Sequence, residues 1–473
     1  MADEQQYDVV VIGAGPVGEN AAGYAVQGGL SAAIVEAELV GGECSYWACI
    51  PSKALLRTPQ AIVDARRLPG VTAEYDPREV LARRTSFTSD GDDAGQVSWA
   101  DGAGIAVLRG RGRLAGERVV EVTAPDGSTT VLRARHAVVL ATGSVPLTPP
   151  VPGLDSVRTW GSRDATSAKR IPARLGVLGG GVVGCEMATA FARLGSRVTL
   201  FNRGGRLLPS TEPVAGERVA DGLRDAGVDV RLNQGLDSVA PAGTGSSGDG
   251  ITLTAGGRTV EVDELLVATG RRPATHDIGL DTVGVDPGGL TVDESGAVAG
   301  AEAWLYAVGD VNGRALLTHQ GKYQARIAGN AITARATGTA RDTSSWGEHA
   351  ATADHHAVPQ VVFTDPEVGA VGLTAAQASD AGIAVRTVDI DIAVAGSSLH
   401  ADGYAGRAVM VVDTAREVLV GVTFVGQDVA ELVHAATIAI VGEVPLSRLW
   451  HAVPAFPTIS EVWLRLLETY RQG

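Results

Sequence analysis

Two cysteines five residues apart, Cys44 and Cys49, lie in the segment Gly41-Gly42-Glu43-Cys44-Ser45-Tyr46-Trp47-Ala48-Cys49-Ile50-Pro51-Ser52-Lys53. Thiols this close can carry two electrons by closing and opening a disulfide, which needs Cα atoms within about 7 Å. On one regular helix a five-residue offset points the side chains apart. Cys44 is therefore expected in an irregular or first turn, with Cys49 further into a helix. A thiolate near a helix N-terminus is stabilised, which favours exchange. Zinc fits less well, because the spacing is unusual and no second Cys/His pair lies near. Lys53 follows Cys49 by four residues, on its helical face. Only Lys53, Lys169 and Lys322 are Lys; every other cation of the Lys+Arg count of 39 is Arg. Arg never gives up its proton, so a Lys kept against that bias beside a Cys pair points to chemistry. Its chance survival is the bland alternative.

Those groups need a scaffold. The chain has 473 residues, enough for two to four domains. Its net charge is 39 − 54 = −15, which disfavours nucleic acid as a partner. An anionic cofactor must then be held locally, by helix N-termini and a few Arg. The polar start carries no signal-like apolar core, and no apolar run approaches a membrane span. No membrane partner and a cytoplasmic location are the expectation. Three Cys cannot make a disulfide scaffold.

Residues 7–11 read as a buried parallel strand. Gly13-Ala14-Gly15-Pro16-Val17-Gly18 follows, then an Ala-rich helix, then a strand over 32–35 ending at Glu36. Strand, Gly-rich turn, helix, strand and acid together form a dinucleotide cradle: the glycines let backbone N–H groups approach a pyrophosphate, and the acid bonds a ribose hydroxyl. The pattern recurs. A strand over 175–178 leads to Gly179-Gly180-Gly181-Val182-Val183-Gly184, a helix through Glu186 to about 194, and a strand over 197–201. Two such units imply two nucleotides. Each has a later strand ending in Ala-Thr-Gly: 137–140 before Ala141-Thr142-Gly143, and 264–267 before Ala268-Thr269-Gly270. Val/Thr-rich stretches over 118–131 and 251–262 read as antiparallel meanders. Residues 243–250 suggest a hairpin loop and 86–95 a mobile connection. From about residue 344, strand-like runs (360–363, 408–412, 418–424) and terminal helices suggest an α+β domain.

Taken in order along nearly the whole chain, these motifs resemble the class I pyridine nucleotide-disulfide oxidoreductases. The match includes Cys-x4-Cys-Ile-Pro-Ser-Lys, both Gly motifs, both Ala-Thr-Gly segments, Arg271-Arg272-Pro273 and Tyr306-Ala307-Val308-Gly309-Asp310. The resemblance implies two Rossmann-like domains and a C-terminal α+β dimerisation domain. Expected boundaries are 1–152 and 272–343 for FAD binding, 153–271 for NAD(P) binding, and 344–473 for a homodimer interface. It implies that Gly13, Gly15, Gly18, Glu36, Gly42, Thr142, Gly143 and Asp310 hold FAD, with Asp310 on the ribityl chain. Gly179, Gly181, Gly184, Asn202, Arg203 and Gly270 would serve the nicotinamide nucleotide. Cys49 would be the thiolate against the flavin and Cys44 the interchange thiol that meets a small-molecule acceptor. Lys53 would approach the flavin and pair with Glu186. Cys185 has no family role and reads as a small buried residue.

Family members specific for NAD usually carry an acid where this chain has Asn202, and Arg203 and Arg206 follow it. Absence of the acid with Arg nearby suits a 2′-phosphate, so NADPH is favoured over NADH.

The chain departs from the family at its C-terminal end. Where the pattern has His-Pro-Thr-x-Ser-Glu, this chain reads Phe456-Pro457-Thr458-Ile459-Ser460-Glu461. Phenylalanine carries no proton, and acid–base help of that kind is worth about 10²–10⁴ in rate. Three readings stay open: His451 folds back and supplies the proton; the acceptor needs no acid, as with a good leaving thiolate, a quinone or a metal ion; or the site excludes protons, as in 2-ketopropyl coenzyme M oxidoreductase/carboxylase, whose own Glu position differs. Tyr46 and Trp47 either narrow access to Cys44, stack on an aromatic substrate, or pack the loop. The leading expectation is an enzyme carrying electrons from NADPH through FAD to Cys44–Cys49. Its rivals are a quinone or oxygen reductase with an accessory Cys pair, and a redox-inert flavoprotein.

Overall fold

The computed structural model describes residues 3–242 and 250–472. The loop expected over 243–250 lies outside the described residues except for Gly250. The chain divides into two compact units, Met1–Pro51 with Thr85–Leu147 and Arg271–Asp354, and Ser52–Arg84 with Thr148–Gly270 and His355–Gly473.

In the first unit the strand Asp3–Ile12 is central. It runs parallel to Ala32–Glu36 on one side and Thr129–Leu140 on the other; Ile105–Arg109 and Leu305–Ala307 extend the parallel sheet outward. Val9, Val10, Val11 and Ile34 are fully buried. A sheet covered on both faces demands apolar runs rather than alternation, which is why residues 9–12 are Val-Val-Val-Ile, while Asp8 at the strand's earlier end accepts from Ser31. The parallel pairing needs a crossover, supplied by the helix Pro16–Gln27. Thr129–Leu140 joins the parallel and antiparallel parts of one seven-stranded sheet. Its first half pairs antiparallel with Val119–Thr123, which pairs with Arg111–Gly116, so the expected meander runs without a break into the strand before Ala141.

The connection expected to be mobile at 86–95 is built instead from the end of the helix Pro77–Phe87, the short turn Ser89–Gly91 and the start of the helix Ala94–Gly102. Local carboxylates order it: Asp92 accepts from the Ala94 N–H at 2.9 Å, and Asp93 accepts from the Val40 N–H at 2.7 Å and pairs with Arg109 at 2.7 Å.

The second unit holds a four-stranded parallel sheet in the order Asp229–Arg231, Arg197–Phe201, Arg174–Leu178, Glu264–Val267, with the helix Val182–Arg193 crossing over. An antiparallel meander of Ser238–Pro241, Ile251–Ala255 and Arg258–Val262 accompanies it. A separate five-stranded antiparallel sheet runs in the order Pro359–Val362, Glu367–Gly372, Val418–Gly426, Arg407–Asp413, Val385–Asp391. The helices Leu432–Val441 and Val462–Gln472 follow it, giving the α+β architecture expected for the C-terminal region. Among the described residues no helix is long and apolar enough to cross a membrane.

Candidate active site

The first Gly-rich turn is dictated by sterics. Gly13 has φ +102°, and a Cβ there would lie 2.4 Å from the Ala141 carbonyl oxygen. A Cβ on Gly18 would lie 1.9 Å from the Gly13 carbonyl oxygen. The two glycines thus let the helix, the turn and the strand before Ala-Thr-Gly close on one another. Gly15 differs: nothing lies within 4 Å of its missing Cβ, and it caps the helix Pro16–Gln27 without a side-chain bond. The first helical N–H groups are left for a ligand, and the helix dipole favours an anion there. At the end of the next strand the Glu36 carboxylate accepts from the N–H groups of Ala14 and Glu38, each at 2.8 Å. Burial pushes its pKa up. Glu19, in the first turn, is raised to about 7 by burial, and its Oε1 is buried without a hydrogen-bond partner. An anion-receptive helix end with an acceptor at the neighbouring strand end fits an FAD pyrophosphate and ribose. Thr142 Oγ1 donates to the Ala274 carbonyl at 2.8 Å, Gly143 has φ +74°, and Ser144 Oγ donates to Asp310 at 2.6 Å. Burial raises Asp310 also, and its remaining oxygen suits a ribityl hydroxyl.

The cysteine loop is drawn to this turn. The Gly41 N–H donates to the Ala14 carbonyl at 2.7 Å. Gly42 has φ +55°, and a Cβ on it would meet Gly15 Cα at 2.7 Å, so no other residue fits. Cys44 then falls in the short helix Gly42–Tyr46, while Cys49 is the first residue of the helix Cys49–Arg66. The expectation that Cys49 lies further into a helix is corrected. A short helix and a long one with a break at Trp47 and Ala48 solve the five-residue offset better than one continuous helix, and they place Cys49 where helix N–H groups stabilise a thiolate. No disulfide joins the two cysteines here, and Cys49 stands beside Cys44. The Cys49 sulfur and then burial push the Cys44 thiol up, because two adjacent thiols resist ionising together. Cys49 Sγ lies 3.3 Å from Thr318 Oγ1 at the start of the helix Thr318–Thr337. Nothing in the sequence singled out Thr318, which is 269 residues from Cys49. Tyr46 is buried and donates to Gln96 at 2.9 Å, so it packs the loop; Trp47 is half-buried against it, ring centroids 5.8 Å apart.

In the second unit Lys53 Nζ donates to Glu186 Oε2 at 2.6 Å. Glu186 is 4% exposed at its side chain, in the middle of a buried helix face. Its other oxygen accepts from the Phe363 N–H at 3.1 Å, and the Phe363 ring lies 4.9 Å from Lys53 Nζ. Phe363 therefore fixes both partners, a role with no sequence signal beyond its place in a strand-like run. Cys185, next to Glu186, is wholly buried, and burial pushes its thiol up, which makes it inert.

The second Gly-rich turn repeats the first. Gly179 has φ +120° with a Cβ position 2.3 Å from the Ala268 carbonyl oxygen, Gly184 would meet the Gly179 carbonyl at 2.0 Å, and Gly181 faces open space at the start of its helix. Gly270 has φ +127°. No carboxylate closes the following strand. Asn202 Nδ2 donates to the carbonyls of Gly204 at 2.9 Å and Arg206 at 2.8 Å, shaping the loop, and Arg203 is exposed beside it.

Near the C-terminus Phe456 is 76% exposed and His451 is exposed. Glu461 is buried and accepts from the Gly396 N–H at 3.3 Å. Among the described residues no group of His, Cys, Asp and Glu is arranged to hold a metal ion.

Residues 7–338 match the pyridine nucleotide-disulphide oxidoreductase family, and residues 358–466 match its dimerisation domain. The dihydrolipoyl dehydrogenase of Chlorobaculum tepidum is 33% identical over 464 residues, covering 96% of this chain and 95% of its own. That of Chlamydia muridarum is 32% identical over 477 residues, covering 97% and 96%. The HOCl-induced flavoprotein disulfide reductase RclA of Escherichia coli, solved as a Cu(II) complex, is similar with a TM-score of 0.82 at 25% identity, covering 98% of this chain and 99% of that one.

Proposed function

This chain belongs to the pyridine nucleotide-disulphide oxidoreductases, flavoproteins that act on disulfides, and from that premise we propose that it takes electrons from NADPH and delivers them through Cys44 to a small acceptor that needs no acid from the protein. The observation that carries this reading is the thiol pair itself: Cys44 in its own short helix beside Cys49, and Cys49 at a helix start beside the Thr318 hydroxyl. FAD, when bound, supplies a two-electron bridge between a nicotinamide donor and a dithiol. The backbone around Gly15, the Glu36 carboxylate and Asp310 would hold it. Helix N–H groups at Gly181 would hold the pyrophosphate of the nicotinamide nucleotide, and Arg203, standing where no carboxylate opposes it, would take a 2′-phosphate.

The chemistry at the acceptor is thiol–disulfide exchange. The Cys44 sulfur attacks one acceptor sulfur, a mixed disulfide forms, and the other acceptor sulfur leaves with the electron pair. Cys49 then attacks Cys44, the Cys44–Cys49 bond closes, and the second acceptor thiolate leaves. The Cys44 proton passes to solvent. Phe456 offers no proton to either leaving group, so departure is easiest when the leaving thiol is acidic. A thiophilic metal ion is the second reading: its reduction needs no proton, and RclA, similar along its whole length, was solved as a Cu(II) complex.

Anaerobic NADPH oxidation tests the reading with an aryl disulfide, an alkyl disulfide such as lipoamide, and Cu(II) as acceptors. The aryl disulfide is expected to outpace the alkyl one by about 10²-fold, the scale of the missing acid–base help, and Cys44→Ser is expected to abolish both. Equal rates for the two disulfides, or full turnover in Cys44→Ser, would overturn it. NADH in place of NADPH with unchanged kcat/KM would overturn the nucleotide assignment.

A further inference from the structure

The residue before Cys44 is a carboxylate, Glu43, and within the same unit it faces a cation that also serves Asp310. Arg271 Nη1 lies 3.6 Å from Glu43 Oε1. Its Nε donates to Ser144 Oγ at 2.7 Å and its Nη2 to the Ser144 carbonyl at 2.6 Å. Ser144 Oγ spends its single proton on Asp310 Oδ2 at 2.6 Å. The Ser144 oxygen accepts from Arg271 while its proton goes to Asp310, so the hydroxyl links the two. The backbone fixes the order: Arg271–Pro273 pairs antiparallel with Ser144–Pro146, placing Pro273 opposite Ser144 and Arg271 opposite Pro146. The Arg271 side chain is about a quarter exposed, as is that of Glu43, so solvent screens the pair only in part. Burial raises Asp310, while Arg271 lowers it and Glu43 raises it. One guanidinium thus serves two carboxylates, one on the residue that precedes the interchange cysteine and one on the cofactor cradle.

We infer that Arg271 is a positioning residue with two separable duties: it neutralises Glu43, so that Cys44 can become a thiolate, and through Ser144 it aims Asp310 at the cofactor. A planar fork can do both at once; an ammonium is a point charge and cannot. The first duty needs no cofactor. The second rests on the reading that FAD occupies this cradle.

The test uses the full chain. The first readout is the rate at which iodoacetamide labels Cys44 in reduced, FAD-free protein, followed by mass spectrometry of the Cys44 peptide. Arg271→Gln is expected to slow labelling by about three- to tenfold, the scale of a partly screened charge pair. Glu43→Gln is expected to speed it by a similar factor, and the double variant to return it near wild type. The second readout is FAD affinity by fluorescence quenching. Arg271→Gln and Arg271→Lys are both expected to weaken it about tenfold or more, and Glu43→Gln is not expected to repair that loss. Arg271→Lys, which keeps the charge and the fold, is expected to label Cys44 at close to the wild-type rate. Unchanged labelling in Arg271→Gln, or a double variant no faster than Arg271→Gln alone, would overturn the first duty. FAD affinity restored by Lys would overturn the second. Failure of wild-type protein to bind FAD would overturn the functional reading instead, and leaves the labelling result to stand or fall by itself.

Discussion

Replacing Lys53 by Met removes the positive charge but keeps the apolar stem over the Phe363 ring. Glu186, 4% exposed, is then left with only the Phe363 N–H on one oxygen. Removing one partner of a wholly buried pair costs about 3–5 kcal/mol, because the other charge stays desolvated. The Lys53 side chain is 36% exposed, so water partly replaces it. Loss of the cation over the Phe363 ring adds about 0.5 kcal/mol. The expected cost is therefore about 2 kcal/mol. Glu186→Gln is the asymmetric partner. The neutral amide still accepts from Phe363, and Lys53 reaches solvent, so its cost is expected below about 1 kcal/mol. In Lys53→Met/Glu186→Gln no buried charge remains, and the double variant is expected to recover at least 1 kcal/mol relative to Lys53→Met alone. Urea unfolding at fixed, saturating FAD and fixed protein concentration gives the four stabilities. Equal costs for the two single variants, or simple additivity in the double, would refute the claim that the desolvated Glu186 charge governs this site.

Four further outcomes follow. Burial raises Glu367 to about 7, well above its unfolded value, with Asp428, Asp64 and Asp365 adding to the shift. Its penalty is absent below the ordinary carboxylate range, grows as pH rises from there to about 7 and is complete above it, so Glu367→Gln is expected to stabilise at pH 8 by on the order of 1–3 kcal/mol and to be neutral near pH 4; a urea midpoint gain of the same size at both pH values contradicts this. Gly179→Ala must hold φ +120° and place a Cβ 2.3 Å from the Ala268 carbonyl, at a cost on the order of 3 kcal/mol, with NADPH binding by calorimetry lost before FAD binding. Thr318→Val removes the hydroxyl 3.3 Å from Cys49; losing a hydrogen bond to a thiolate, about 1.5 kcal/mol, is expected to cut the Cys49 thiolate population near neutral pH about tenfold, read as thiolate absorbance in the ultraviolet. Phe456→His is expected to raise alkyl-disulfide turnover while leaving the aryl substrate nearly unchanged.

The two cradles were legible in the sequence because each glycine answers a steric demand. Gly13 and Gly179 both face the carbonyl of the Ala that opens an Ala-Thr-Gly segment, so the pairing of turn and later strand could be read from the repeat. The apolar runs at 9–12 and 175–178 report burial on both faces of parallel sheets. Cys44, Cys49, Lys53 and Glu186 stood out by type and spacing. Thr318, Phe363 and Ser144 did not. Their partners are 269, 177 and 166 residues away, and a Thr, a Phe or a Ser in isolation carries no signal of the contact. The break between Gly42–Tyr46 and Cys49–Arg66 was also missed. The packing of Gly42 on Gly15, which fixes where the first helix begins, is tertiary and leaves no mark on the spacing. The polar run at 86–95 misled because Asp92 and Asp93 order the backbone locally, which composition does not distinguish from a mobile loop.

The most direct test of the account is an anaerobic titration of FAD-loaded protein with NADPH, following the visible spectrum for the wild type and for Cys49→Ser. A long-wavelength absorption band is expected after two electrons in the wild type and none in Cys49→Ser. Bleaching of the flavin in the wild type without that band would mean that electrons bypass Cys44 and Cys49, and would contradict it.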